Sequence, residues 1–234
     1  MKKVIWIDDS ICMMDSVVKN LFGELWSKDC CNRMIFAGNN YKEGESKNFE
    51  ITGTNKKMLT NDMLKYFALY CAENAVSGKK PMDVWKEKKG LRPAESYYID
   101  ATDQGEVKKE ILEFIKKDEK EKLYDKIFIC LDIRLFEDDE KHKEKKKKTL
   151  AMELFYELSE DKTSDGQKKY SVFLYSSYTS YDDVIPYWIK RFSEYYTDFK
   201  GEIYIFDRYE LVSRNDKSEE RGKFLKLFET KNDV

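Results

Sequence analysis

VIWIDDS, residues 4–10, carries three β-branched residues and a tryptophan straight into two adjacent carboxylates. β-Branched and aromatic side chains suit the pleated backbone of a strand, and an unbroken apolar run suits a strand covered on both faces. The acids mark its end. Taken alone, Asp8-Asp9-Ser10 is explained by capping, since Asp and Ser side chains accept the orphan amides at a helix start. The next stretch, ICMMDSVVKNLFGELW (11–26), spaces its apolar residues at helical intervals, so the opening reads as one strand–helix unit.

The unit recurs along the chain. SYYIDA (96–101) precedes EVKKEILEFIKK (106–117), and KIFICLDIRLF (126–136) precedes TLAMELFYELSE (149–160). SVFLYSS (171–177) precedes VIPYWIKRFSEYY (184–196), and EIYIFD (202–207) precedes a last helix near 216–229. This alternation predicts a doubly wound α/β fold: a five-stranded parallel sheet with helices on both faces, one domain spanning 1–234. The segment 28–94 interrupts the scheme and reads as an inserted α+β piece on the sheet's edge or end. Within it RMIFAG (33–38) and NFEITGT (48–54) suggest a small hairpin, TNDMLKYFALYCAENAV (60–76) suggests a helix, and PMDVWKEKKGLRP (81–93) closes the piece.

At 234 residues the chain is long enough to bury a substantial core. Charged residues are 38% but nearly cancel, to a net −2, so no global field draws the protein to nucleic acid or anionic membrane. The run EDDEKHKEKKKK (137–148), which holds the sole histidine, His142, mixes both signs and reads as a solvated loop; only its basic end suits phosphate contact. No stretch approaches the roughly 18 apolar residues of a membrane span, and MKKVIWIDDS meets acid too early for a signal peptide. A cytoplasmic protein without membrane contact is the expectation. Cys12, Cys30, Cys31, Cys71 and Cys130 lack paired ligand spacing and are expected as reduced thiols. The adjacent Cys30 and Cys31 leave a metal or redox site as the alternative.

In doubly wound sheets ligands gather outside the carboxyl ends of the strands. Those ends hold Asp8 and Asp9, then Asp132, then Ser176 with Ser177, then Asp207 with Arg208. First and third strands are neighbours in such a sheet, so Asp8, Asp9 and Asp132 are expected in one pocket. Three carboxylates so close repel one another unless a cation sits among them, and a hard divalent ion with oxygen ligands, Mg²⁺, is the natural filler. The ordinary readings are a helix cap for Asp8-Asp9-Ser10, an ion pair with Arg134 or a lysine of the basic loop for Asp132, and a Ser-rich helix entry for Ser176. Tyr175, Tyr178, Tyr181, Tyr187, Tyr195 and Tyr196 read as core and interface aromatics.

This succession of strand ends resembles the receiver domain of response regulators. VIWIDDS matches the acidic pair that closes the family's first strand, ICLDIRL its phosphoacceptor aspartate, and LYSS its hydroxyl residue followed by a small one. The resemblance covers about 1–27 and 95–230. It implies strand order 2-1-3-4-5, phosphorylation of Asp132, Mg²⁺ held by Asp8, Asp9, Asp132 and the main-chain carbonyl of Arg134, a Ser176 hydrogen bond to the phosphoryl group, and Tyr204 as the switch aromatic. Placing Tyr204 there puts Asp207 at the family's lysine and Arg208 at its proline, and Phe136 stands where proline usually follows the third strand. Arg208 would reach the pocket only from a turn, because one residue along a strand faces the other side.

The expected function is therefore a receiver-like signalling protein, switched by Mg²⁺-dependent phosphorylation and acting through protein partners, with a histidine kinase as candidate donor and homodimerisation open. An unphosphorylated pseudo-receiver is the alternative, favoured by Asp207. A Mg²⁺-dependent phosphohydrolase or nuclease comes third, because no general base stands beside the acids and the DxD spacing of aspartyl phosphatases is lacking.

Overall fold

In the computed structural model, which describes residues 2–9, 21, 24–25, 28, 30–37, 94–99, 103–120, 124–135, 148–176, 184–212 and 218–229, six strands form one parallel sheet. They are β1 (Lys2–Asp8), β2 (Cys30–Ala37), β3 (Ala94–Ile99), β4 (Lys126–Asp132), β5 (Tyr170–Ser176) and β6 (Ile205–Asp207), in spatial order β3-β2-β1-β4-β5-β6. Without the edge strand β3, the other five stand in the order 2-1-3-4-5.

One strand assignment is corrected. The neighbour of β1 is not the run SYYIDA but Cys30–Ala37, paired from Lys2 opposite Cys30 to Asp8 opposite Phe36; β3 pairs outside it. Asn32 and Arg33 interrupt the apolar pattern of CCNRMIFA, which is why only RMIFAG stood out as a strand. Both are buried, and Asn32 Oδ1 accepts from the Trp6 indole N–H at 3.3 Å, so a polar side chain sits inside the sheet's cover with a partner. The strand Cys30–Ala37 is thus parallel and internal, not half of a hairpin at the sheet's margin. The stretches read at 48–54, 60–76 and 81–93, together with His142 and Phe136, lie outside the described residues.

Helices α1 (Gln104–Lys120), α2 (Leu150–Glu160) and α3 (Val184–Tyr195) cover one face. Their starts are capped in two places by short oxygens: Asp103 Oδ1 accepts from the amides of Gly105 and Glu106, and Thr149 Oγ1 from that of Met152. Val107, Ile111 and Ile115 of α1, Leu154 and Phe155 of α2, and Trp188 and Phe192 of α3 pack on Ile5, Ile7, Ile129, Leu131 and Leu174. The opposite face carries Leu21 and Leu25 with the short helix α4 (Arg208–Val212) and the C-terminal α5 (Glu219–Lys226). There Val4, Trp6, Phe128, Cys130, Phe173 and Tyr175 meet Leu211, Phe224 and Phe228. Among the described residues no helix is long and apolar enough to cross a membrane.

Two consequences of this order position the site. Strands succeed one another leftward from β1 and rightward from β4, so the crevice between the carboxyl ends of β1 and β4 is the topological switch point. The α5 side of the core is also unusually aromatic: the Phe224 ring lies 5.8 Å from Trp6, 5.3 Å from Phe206 and 5.0 Å from Phe228. Truncating Phe224 to Ala should cost about 3–5 kcal/mol in urea denaturation. Leu227→Ala, three residues further along but at the surface, should change stability by less than about 0.5 kcal/mol. Equal losses for the two would contradict this assignment of the core.

Candidate functional site

The carboxyl ends of β1 and β4 bring Asp8, Asp9 and Asp132 together. One side-chain oxygen of each lies within 4.8 Å of the others, the one such grouping of metal-ligating residues among the described residues. Alternation along the strands does this: Val4, Trp6 and Asp8 share a face with Phe128, Cys130 and Asp132, and the register sets Ile7 opposite Leu131. Asp8 is completely buried, and Asp132 is only 6% exposed. Asp9, half-buried, sits at the rim.

A cation of the protein itself enters this group. Arg208, 4% exposed, places Nη1 2.9 Å from Asp8 Oδ2 and 3.7 Å from Asp132 Oδ2. It can do so because β6 ends at Asp207 and Arg208 opens α4, so its side chain is released from strand alternation. Asp207 does not join the pocket acids. Its Oδ1 accepts from the amides of Tyr209 and Glu210 as the cap of α4, and its own N–H donates to Glu220. Asp207 is therefore a helix cap, and the positive charge in the acidic group comes from the next residue, Arg208.

Tyr175 completes the arrangement and was read from sequence only as a core aromatic. It stands opposite Asp132 in the β4–β5 register, and its hydroxyl donates to Asp8 Oδ2 at 2.8 Å while lying 3.1 Å from the Ile7 carbonyl. The sequence signal was a polar-tipped aromatic level with an acid one strand away. Ser176, fully buried, closes β5 one residue further on, level with Asp207. Arg134, half-buried, donates its main-chain N–H to Asp132 Oδ1 at 3.1 Å, fixing the carboxylate's orientation. Tyr204 stays at the surface, 45% exposed, with its ring edge on Phe173 and its hydroxyl donated to Glu202. Cys30, Cys31 and Cys130 are buried thiols, not bridged by disulfides, and none belongs to the acidic group.

Burial first, and then the neighbouring Asp8, push the Asp132 carboxyl well above the usual carboxylate range; Arg208 pulls the other way. Burial disfavours the charged form of Arg208, but Asp8 and Asp132 more than offset it and raise its pKa. Three carboxylates against one guanidinium leave two negative charges if all ionise. The three carboxylates offer oxygen ligands only, a donor set that could hold a hard divalent cation. Such an ion would also keep Asp132 ionised.

No family model matches the chain, and no curated protein or solved structure matches it either.

A carboxyl whose folded-state pKa is raised favours folding most below its unfolded value of about 4 and progressively less as pH rises through the folded value. Without divalent ions, the stability difference between the protein and Asp132→Asn should therefore shift toward the variant as pH climbs from about 4. Saturating Mg²⁺ should reverse that shift at pH 8 and do little for Asp132→Asn, all read as thermal unfolding midpoints. A difference independent of pH would contradict the buried, destabilised carboxylate.

Proposed function

We propose that this protein is a receiver-like switch in which Asp132 accepts a phosphoryl group and the change is passed on through protein contacts. The observation that carries the reading is the convergence of Asp8, Asp9 and Asp132 with Arg208 at the carboxyl edge, between strands ordered as the resemblance implies. Asp8, Asp9 and Asp132, with the Arg134 carbonyl, would hold Mg²⁺. When bound, the ion supplies positive charge against the incoming phosphoryl oxygens.

The remaining steps belong to side chains. The Asp132 oxygen not held by the Arg134 amide attacks phosphorus in line; the bond from phosphorus to the donor breaks and its electron pair leaves with the donor. Arg208 would take the part of the family's lysine: the Nε of its guanidinium, buried and without a hydrogen-bond partner among the described residues, can donate to a phosphoryl oxygen. Ser176 would donate a second hydrogen bond and carry the response into the segment that follows β5. A histidine kinase is the donor that the resemblance implies, and a protein partner or second copy the receiver of the signal.

Two observations favour the unphosphorylated alternative: Arg208 is closer to Asp8 than to Asp132, and Asp132 is nearly sealed from solvent. Incubation with Mg²⁺ and acetyl phosphate separates the two. Phosphorylation should add one phosphoryl mass that hydroxylamine removes and that Asp132→Asn abolishes. Mg²⁺ binding with no such addition would sink the phosphoacceptor reading in favour of the pseudo-receiver. Sustained phosphate release or nucleic-acid cleavage independent of Asp132 phosphorylation would instead point to a hydrolase.

A further inference from the structure

We propose that Tyr175 is a positioning residue that holds Asp8 and relays the state of the acidic pocket to α5; the proposal rests on the reading above for the signal's identity, not for the relay.

A carboxylate oxygen has two in-plane lone pairs. Those of Asp8 Oδ2 are taken by the Tyr175 O–H at 2.8 Å and Arg208 Nη1 at 2.9 Å. What Asp8 gives a cation must come through Oδ1, and any rotation of the carboxylate toward a ligand strains or drops the tyrosine hydrogen bond. The phenol is held as a neutral donor, its ionisation pushed well above the usual value by burial and then by Asp8 and Asp132.

The ring has firm neighbours on both sides. The Arg208 guanidinium carbon lies 5.8 Å from its centroid. Trp6 meets it edge-on at 5.8 Å, and Trp6 in turn lies 5.8 Å from Phe224 of α5. Trp6 is pinned at its far end by the hydrogen bond to Asn32, and all three rings are almost completely buried. Interiors packed this closely pass a displacement from ring to ring instead of absorbing it in voids. An ordinary core tyrosine with a satisfied hydroxyl would have the same packing but would not make Trp6 sensitive to Asp8 through that hydroxyl. Only measured coupling separates the two.

The test uses the full chain labelled with 5-fluorotryptophan. Trp6 is assigned among the four tryptophans by Trp6→Phe, and folding of each variant is checked by thermal unfolding. In Mg²⁺-free buffer, Asp8→Ala should shift the Trp6 fluorine resonance, and most of that shift should vanish in a Tyr175→Phe background. Asp8→Asn serves the same cycle if the alanine variant does not fold. Tyr175→Phe should also weaken Mg²⁺ binding about tenfold by calorimetry, as loss of a residue supporting a ligand commonly does. Equal Trp6 shifts in the two backgrounds, or an unchanged Mg²⁺ affinity in Tyr175→Phe, would overturn the proposal. If Mg²⁺ fails to bind the unmodified protein while the Asp8–Tyr175 cycle retains its coupling, the cation reading falls and the relay stands.

Discussion

The buried contact between Arg208 and Asp8, with Asp132 beside it, is the constraint around which the carboxyl edge of the sheet is organised. Two carboxylates almost without solvent exposure cannot both ionise cheaply in a low-dielectric interior. A guanidinium among them offsets one charge, and its delocalised, flat group is the cation that best tolerates such burial. The remaining charge is left for a proton or a metal ion, which makes the pocket responsive to its surroundings. A structural ion pair balanced on its own would have no reason to recruit a third acid.

That constraint reaches the rest of the fold through covalent neighbours. Arg208 can enter the pocket only because β6 stops at Asp207 and α4 begins at once, and Asp207 secures that junction by capping the helix. Glu220 of α5 accepts the Asp207 N–H, so the junction is tied to the last helix as well. On the other side, Tyr175 ties Asp8 to the aromatic layer beneath α5. The short strand, the short helix and the C-terminal helix thus meet the same group of acids from two directions.

How much of this was legible in the sequence follows from which rules each residue obeys. Asp8, Asp9 and Asp132 were readable because each ends an apolar strand and because neighbouring strands of a doubly wound sheet bring their ends together. The identity of the strand beside β1 was not, because Asn32 and Arg33 break the hydrophobic run whose continuity marks a buried strand. Arg208 was readable only as a residue on the wrong face. Alternation holds while a strand continues, and sequence left open whether Arg208 stands in a turn; the structure opens α4 at that residue. Tyr175 signals only through its place level with Asp132 one strand away, since a tyrosine in a covered strand is ordinary until the register shows what its hydroxyl meets.

On the proposed reading, three carboxylates at the switch point would hold a divalent ion beside Arg208. Crystals soaked in Mn²⁺, which takes the oxygen ligands preferred by Mg²⁺ and scatters anomalously, test it most directly. The account predicts an anomalous peak bounded by Asp8, Asp9 and Asp132, absent from crystals of Asp132→Asn. A pocket without that peak, with Arg208 still bridging Asp8 and Asp132 at saturating Mn²⁺, would contradict it.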